Sequence, residues 1–252
     1  MMLIRQIKAE WLKEKRSANR KLMMMTPLVF IMFSFLMTLL MGTAPKGKSY
    51  LVAAAFNWYP LIILPVILTL FVTNIKGKEK TVNEVFTRSL GIDSSYQWMA
   101  KNMIVIFELL ITLAFSGLLV LLLNGLLLND TISFGRIVIA TACLFLGSLP
   151  VVGISFVLNR FLNRIIVILI NFILSSAAAL IAVEGSWLLF AWCYNIRMMA
   201  PTLGLHPNGT FLPAGSPLLN TGSIGTGVLL SLIVYGLIVI IQTALSKRRN
   251  GR

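Results

Sequence analysis

A carboxylate set in a run of apolar residues is the first place to look for chemistry. This chain has one in Glu108, inside the stretch MIVIFELLITLAF. A carboxylate at the centre of a bilayer costs on the order of 3 kcal/mol on insertion scales, so it must face protein or a water-filled space. Two roles fit: a gate or translocation-path residue, or a structural carboxyl that ion-pairs near the membrane interface, with Arg160 or Arg164 as partner. Other reactive groups are scarce. His206 is the single histidine, beside Pro207 and without a nearby Asp, Cys or second His, and its expected place is a turn. Cys143 and Cys193 form neither a disulfide framework nor a metal cluster. Residues 42–49, GTAPKGKS, satisfy the phosphate-loop pattern GxxxxGKS. That pattern works when a strand delivers it and a helix N-terminus follows. Here it follows an apolar run with no α/β pattern around it, so no nucleotide is expected there. A membrane-embedded enzyme needs a convergent nucleophile–base pair or metal cluster. Nothing of that kind is present, and no catalytic residue, cofactor or metal is expected on this chain.

The elements that must position these residues follow from composition. The chain has 252 residues, 58% hydrophobic and 12% charged, with a mean hydropathy of +0.88. A soluble domain carries about 25% charged residues, so the composition argues against a soluble enzyme. Crossing a bilayer takes roughly 20 apolar residues in a helix. Six stretches reach that length: 22–41, 57–75, 103–123, 137–158, 165–183 and 226–245. None alternates like a barrel strand. The expectation is one all-α polytopic membrane domain of six spans. The first is read as an uncleaved anchor rather than a signal peptide, its apolar run being too long for an h-region. Pro60 and Pro65 should kink span two and Pro150 span four, and Ser175–Ala179 offers span five a small-residue packing face.

Net charge is +14, and its distribution explains it. Eighteen Lys and Arg fall in 1–21, 76–102, 159–164 and the C-terminal tail, whereas the alternate loops hold only Lys46, Lys48, Arg136 and Arg197. The positive-inside rule puts both termini in the cytoplasm, and no nucleic-acid partner is needed to account for the charge.

Three further pieces carry candidate roles. In residues 1–21, Leu3, Ile4, Ile7, Trp11 and Ala18 share one helical stripe, broken by Glu14, with most cations opposite. That pattern predicts an amphipathic helix lying on anionic membrane lipid, or a stop-transfer flank that only fixes topology. Loop 76–102 predicts a short helix over 81–90 closed by Gly91, with Asp93 or Ser94 capping the next helix. Asn83, Glu84 and Arg88 would stud that helix as a lever for a cytoplasmic partner; a solvated loop is the other reading. In loop 184–225, Trp187, Phe190, Trp192 and Tyr194 form an interfacial aromatic belt, line a lateral opening for an amphiphile, or sit on a short re-entrant helix.

Taken in order, an amphipathic N-terminal helix, six spans, a polar loop between spans two and three, and a long outer loop before span six resemble the ABC-2 type of exporter permease. The segments AEWLKEKRS, FNWYP, RSLGIDSSYQWMAK and AWCYNIRMMAPTLGLHPNG are similar to the permeases of lantibiotic self-immunity transporters, the LanFEG systems, most of all their E-type subunit. The resemblance implies a type V exporter-like fold in a Gram-positive plasma membrane. It also implies a second, G-type six-span permease and two copies of a cytoplasmic P-loop ATPase, which would bind the ATP. Hydrolysis, coupled through loop 76–102, would expel a lantibiotic peptide from the membrane. Export of another amphiphile, such as a drug or a lipid-linked glycan, and a non-transporting membrane scaffold are the alternatives. The outer loops hold four cations against Asp130 and Glu184, so a cationic lantibiotic would have to be recognised through the aromatics or by the second permease.

Overall fold

Helix starts in this chain are set by capping side chains. Ser17 accepts from the Arg20 amide at 3.2 Å, Asp93 from Ser95 at 2.8 Å, Ser133 from Arg136 at 3.4 Å and Asn163 from Ile166 at 2.9 Å. Each side chain satisfies an amide that would otherwise lack a partner at a helix N-terminus. The computed structural model describes residues 2–78, 89, 91, 93–125 and 133–250, with side chains up to 246. The helices are α1 (Met2–Glu14), α2 (Ala18–Met41), α3 (Tyr50–Ile62), α4 (Leu64–Gly77), α5 (Ser94–Leu123), α6 (Phe134–Phe161), α7 (Arg164–Ile181), α8 (Tyr194–Leu203) and α9 (Gly222–Asn250). Among the described residues the only β pairing is an isolated bridge between Leu205 and Phe211.

Five helices are long and apolar enough to cross a membrane: α2, α5, α6, α7 and α9 over Gly222–Ser246. The α3–α4 pair passes as a sixth if its two halves, bent by 50°, are one span. This is the make-up of a multi-pass membrane protein. The bend has identifiable causes. Pro60 and Pro65 each lack an amide, and Ala54–Trp58 widens into a π-helical turn. Pro150, by contrast, sits inside an unbroken α6. Pro27 does the same in α2.

Contacts distant in sequence sort into two ends of the bundle. At one end Lys78 pairs with Glu14, Lys76 donates to the Asn159 carbonyl, Ser94 to that of Ser246 at 3.2 Å, and Arg160 to Gln242 at 3.2 Å. At the other end Asn57 donates to the His206 carbonyl at 2.9 Å and Tyr50 stacks on Phe211 at 5.2 Å. Lys48 also lies over the Phe211 ring at 4.9 Å. Between them runs a core holding Phe30, Phe56, Tyr59, Leu64, Phe71, Leu109 and Leu113, all essentially fully buried. Met32, Leu40 and Leu180 point outward, as the hydrocarbon around a spanning helix allows.

Two sequence expectations change here. The spans begin earlier than the apolar windows suggest, because polar first turns are capped and packed. α5 starts at Ser94, with Ser95, Lys101 and Asn102 buried. Glu108 therefore lies 14 residues, about 21 Å, along its helix. The second change concerns α1. Glu14 does not interrupt its packed face but belongs to it: Glu10 and Glu14 are the buried residues of the helix, which lies along α5 with Trp11 edge-on to Phe107 at 5.2 Å. Ile4 and Leu12 are left exposed.

Candidate functional site

The first candidate site is the segment between α7 and α9. Two 3₁₀ turns, Gly185–Leu189 and Ala191–Cys193, lead directly into α8. This ten-residue helix is buried from Tyr194 to Ala200. It presses against α6 so closely that a side chain at Gly147 would come within 2.7 Å of the Asn195 backbone. Trp187–Tyr194, expected as one possibility to form a short helix, is instead taken up by these two 3₁₀ turns, and the α-helix covers Tyr194–Leu203. The four aromatics pack in pairs. Trp187 and Tyr194 are buried against each other, ring centroids 6.2 Å apart, and Phe190 stacks on Trp192 at 5.2 Å. The Tyr194 hydroxyl donates to the Leu188 carbonyl at 2.8 Å.

Two polar residues that the sequence reading did not single out hold this segment in place. Asn171, fully buried in α7, donates to Thr69 and Ser155 at 2.8 Å each and accepts from the Trp192 indole at 3.2 Å. One amide thereby ties α4, α6, α7 and the 3₁₀ turn together. Arg197, 8% exposed, lies over the Trp187 ring at 5.6 Å and donates to the Leu218 carbonyl at 3.0 Å. Burial lowers its pKa, yet an arginine remains a cation at neutral pH. The clue available in sequence was a polar residue inside an apolar run, the same clue that exposed Glu108.

The loop closes over the bundle through a short hairpin. His206 accepts from the Asn208 amide through Nδ1 at 3.2 Å and pairs its own amide with the Thr210 carbonyl at 2.8 Å, which is the turn role expected of it. Gly209 has φ +91°, and a β-carbon there would run into the Trp58 indole. Lys48 faces Phe211 and the Leu212 carbonyl, and Ser49 caps α3. Helix α2, not a strand, precedes the phosphate-loop match.

Glu108 forms the second site, at the end that carries the N terminus. It is fully buried, and its Oε2 accepts from Asn19 Nδ2 at 2.9 Å. The same Nδ2 donates to the Phe71 carbonyl at 3.0 Å. Glu108 Oε1 and Asn19 Oδ1 meet no hydrogen-bond partner. The expected arginine partners are corrected: Arg160 is held by Gln242, and Arg164 is exposed at the start of α7. The nearby charges are instead Glu14, itself paired with Lys78 and Ser17, and Arg20. Asn83, Glu84 and Arg88 lie outside the described residues. Among the described residues no hydrogen bond or ring contact joins Glu108 to the four aromatics, so they form two sites rather than one.

A third feature lies between α5 and α6. It is an apolar cleft of about 470 Å³, walled by Leu113, Gly117, Leu121, Ile137, Thr141 and Phe145 among others. No group of three or more potential metal ligands occurs among the described residues. Comparison with family models, with curated proteins and with solved structures returns no match in any of the three.

Proposed function

We propose that this chain is the membrane permease subunit of an ATP-driven ABC-2 type exporter, of the kind that expels a lantibiotic from the membrane and protects the producing cell. The observation that carries this reading is the order of parts. An amphipathic helix docks along the third span, six apolar crossings follow if the bent pair counts as one, and a buried short helix stands between the fifth and sixth. The sequence resemblance names that order. The apolar α5–α6 cleft supports a substrate that arrives from the bilayer as an amphiphile. In this reading both termini face the cytoplasm of a Gram-positive cell, in accord with the eighteen-to-four split of cations. The ATP site belongs to a separate P-loop ATPase that engages loop 76–102 through Asn83, Glu84 and Arg88. A G-type permease completes the pore, and Trp187, Phe190, Trp192 and Tyr194 stand beside the substrate path.

The test is affinity purification of the tagged chain from its native membrane in mild detergent, with partners identified by mass spectrometry. The expected partners are a P-loop ATPase and a second six-span protein. Recovery of the chain alone, or only with itself, overturns the proposal in favour of a scaffold.

A further inference from the structure

The corner where α1 turns into α2 carries a half-open cavity of about 260 Å³ lined by Trp11, Leu12, Lys15 and Arg20. Its walls are of two kinds. Trp11 and Leu12 are apolar; Leu12 is 70% exposed, and the indole is fixed edge-on against Phe107. Lys15 and Arg20 supply two positive charges, with the Arg20 guanidinium parked over the Trp11 ring at 5.0 Å. What distinguishes these two cations is that neither is held by direct contact with an acid. Glu10 is paired with Lys13 and Glu14 with Lys78, and Arg20 feels the Glu108 carboxyl only at a distance. Neither Lys15 nor Arg20 forms an ion pair among the described residues. The helix that carries the cavity also exposes Ile4 and Leu12 beside Arg5 and Lys8, a surface that sits at the headgroup level of a bilayer.

We propose that this cavity is a binding site for one anionic phospholipid. Its phosphate diester sits between Lys15 and Arg20, and its glycerol and first methylenes lie against Trp11 and Leu12. A zwitterionic lipid brings its own ammonium to the same place and gains less from two unpaired cations. A free phosphate gains nothing from the indole and leucine walls. The site does not depend on what, if anything, the chain transports. It would make lipid charge a condition for holding the α1–α2 corner, from which Asn19 reaches Glu108 and Glu14 reaches Lys78.

The test uses the purified full chain in neutral detergent, titrated with phosphatidylglycerol or with phosphatidylcholine, and lipid retention is read by native mass spectrometry. One phosphatidylglycerol should be retained at concentrations about tenfold below those needed for phosphatidylcholine, two screened cations near a surface being enough for that ratio. The preference should vanish in Lys15→Gln/Arg20→Gln and persist in Lys46→Gln/Lys48→Gln, which removes equal charge from the opposite end. If the double variant does not fold, Lys15→Gln alone carries the test, since Lys15 is exposed. Equal retention of the two lipids, a preference untouched by the Lys15 and Arg20 changes, or glycerol phosphate binding as tightly as the lipid would each overturn the proposal.

Discussion

At Glu108 a carboxylate faces an amide across one hydrogen bond, with an orphan oxygen left on each partner. Replacing the acid by its amide resolves that mismatch. Gln at 108 keeps a carbonyl oxygen for Asn19 Nδ2, and its own NH₂ can turn to Asn19 Oδ1, so two unsatisfied buried atoms become a reciprocal pair. Leu removes the acceptor and strands one N–H of Asn19, a loss of about 1–3 kcal/mol. Glu108→Gln should therefore match or exceed the parent melting temperature in detergent, whereas Glu108→Leu should lower it by several degrees. A destabilised Gln variant together with a stable Leu variant would mean that the Asn19 contact does not hold this corner. Glu108 itself was legible in the sequence because a charge among apolar residues has to be explained. Its partner was not. Asn19 is 89 residues away and lies next to a cationic stretch that reads as a membrane flank, whereas Arg160 and Arg164 flank a short loop that the order of spans sets nearby.

The α7–α9 segment shows where element-scale reading stops. Its aromatics were visible as a group with a local function, and the presence of a short helix was within reach. Its burial in the bundle was not, because a ten-residue helix preceded by turns gives no spanning signal, and Trp and Tyr residues beside a span read first as interface residues. What sets the depth is fit: Gly147 on α6 admits the α8 backbone, and Asn171 reaches the Trp192 indole. Gly147→Val should lever α8 away from α6, since overpacking of this kind costs about 1–3 kcal/mol and shifts backbone. Cys193, completely buried at the foot of α8, reports the movement. In a Cys143→Ser background its thiol should be inert to maleimide in the parent and labelled at least tenfold faster in the Gly147→Val variant. Unchanged labelling would mean that α8 does not rely on that close approach.

For the molecule as a whole, the all-helical class, the five long apolar helices and the bend of the α3–α4 pair were readable from hydropathy and proline positions, because the bilayer imposes a length on every crossing. The pairing of the ends was not, since it rests on polar contacts such as Lys76 with the Asn159 carbonyl and Ser94 with that of Ser246, made between helix ends that look interchangeable in sequence. Those contacts put residues 14, 76–78, 94, 159–160 and 242–246 at one end, with 48–57 and 205–212 at the other. This separation makes orientation a single binary question. The two native thiols are buried and give a silent background for introduced ones. In whole cells, Lys46→Cys should react with a membrane-impermeant maleimide, and Gly77→Cys should react only once the membrane is opened. The reverse pattern would place loop 76–102 outside the cell, beyond the reach of any cytoplasmic ATPase. The exporter reading would then fall even with the helical bundle intact, because coupling needs that loop and the nucleotide on one side of the membrane.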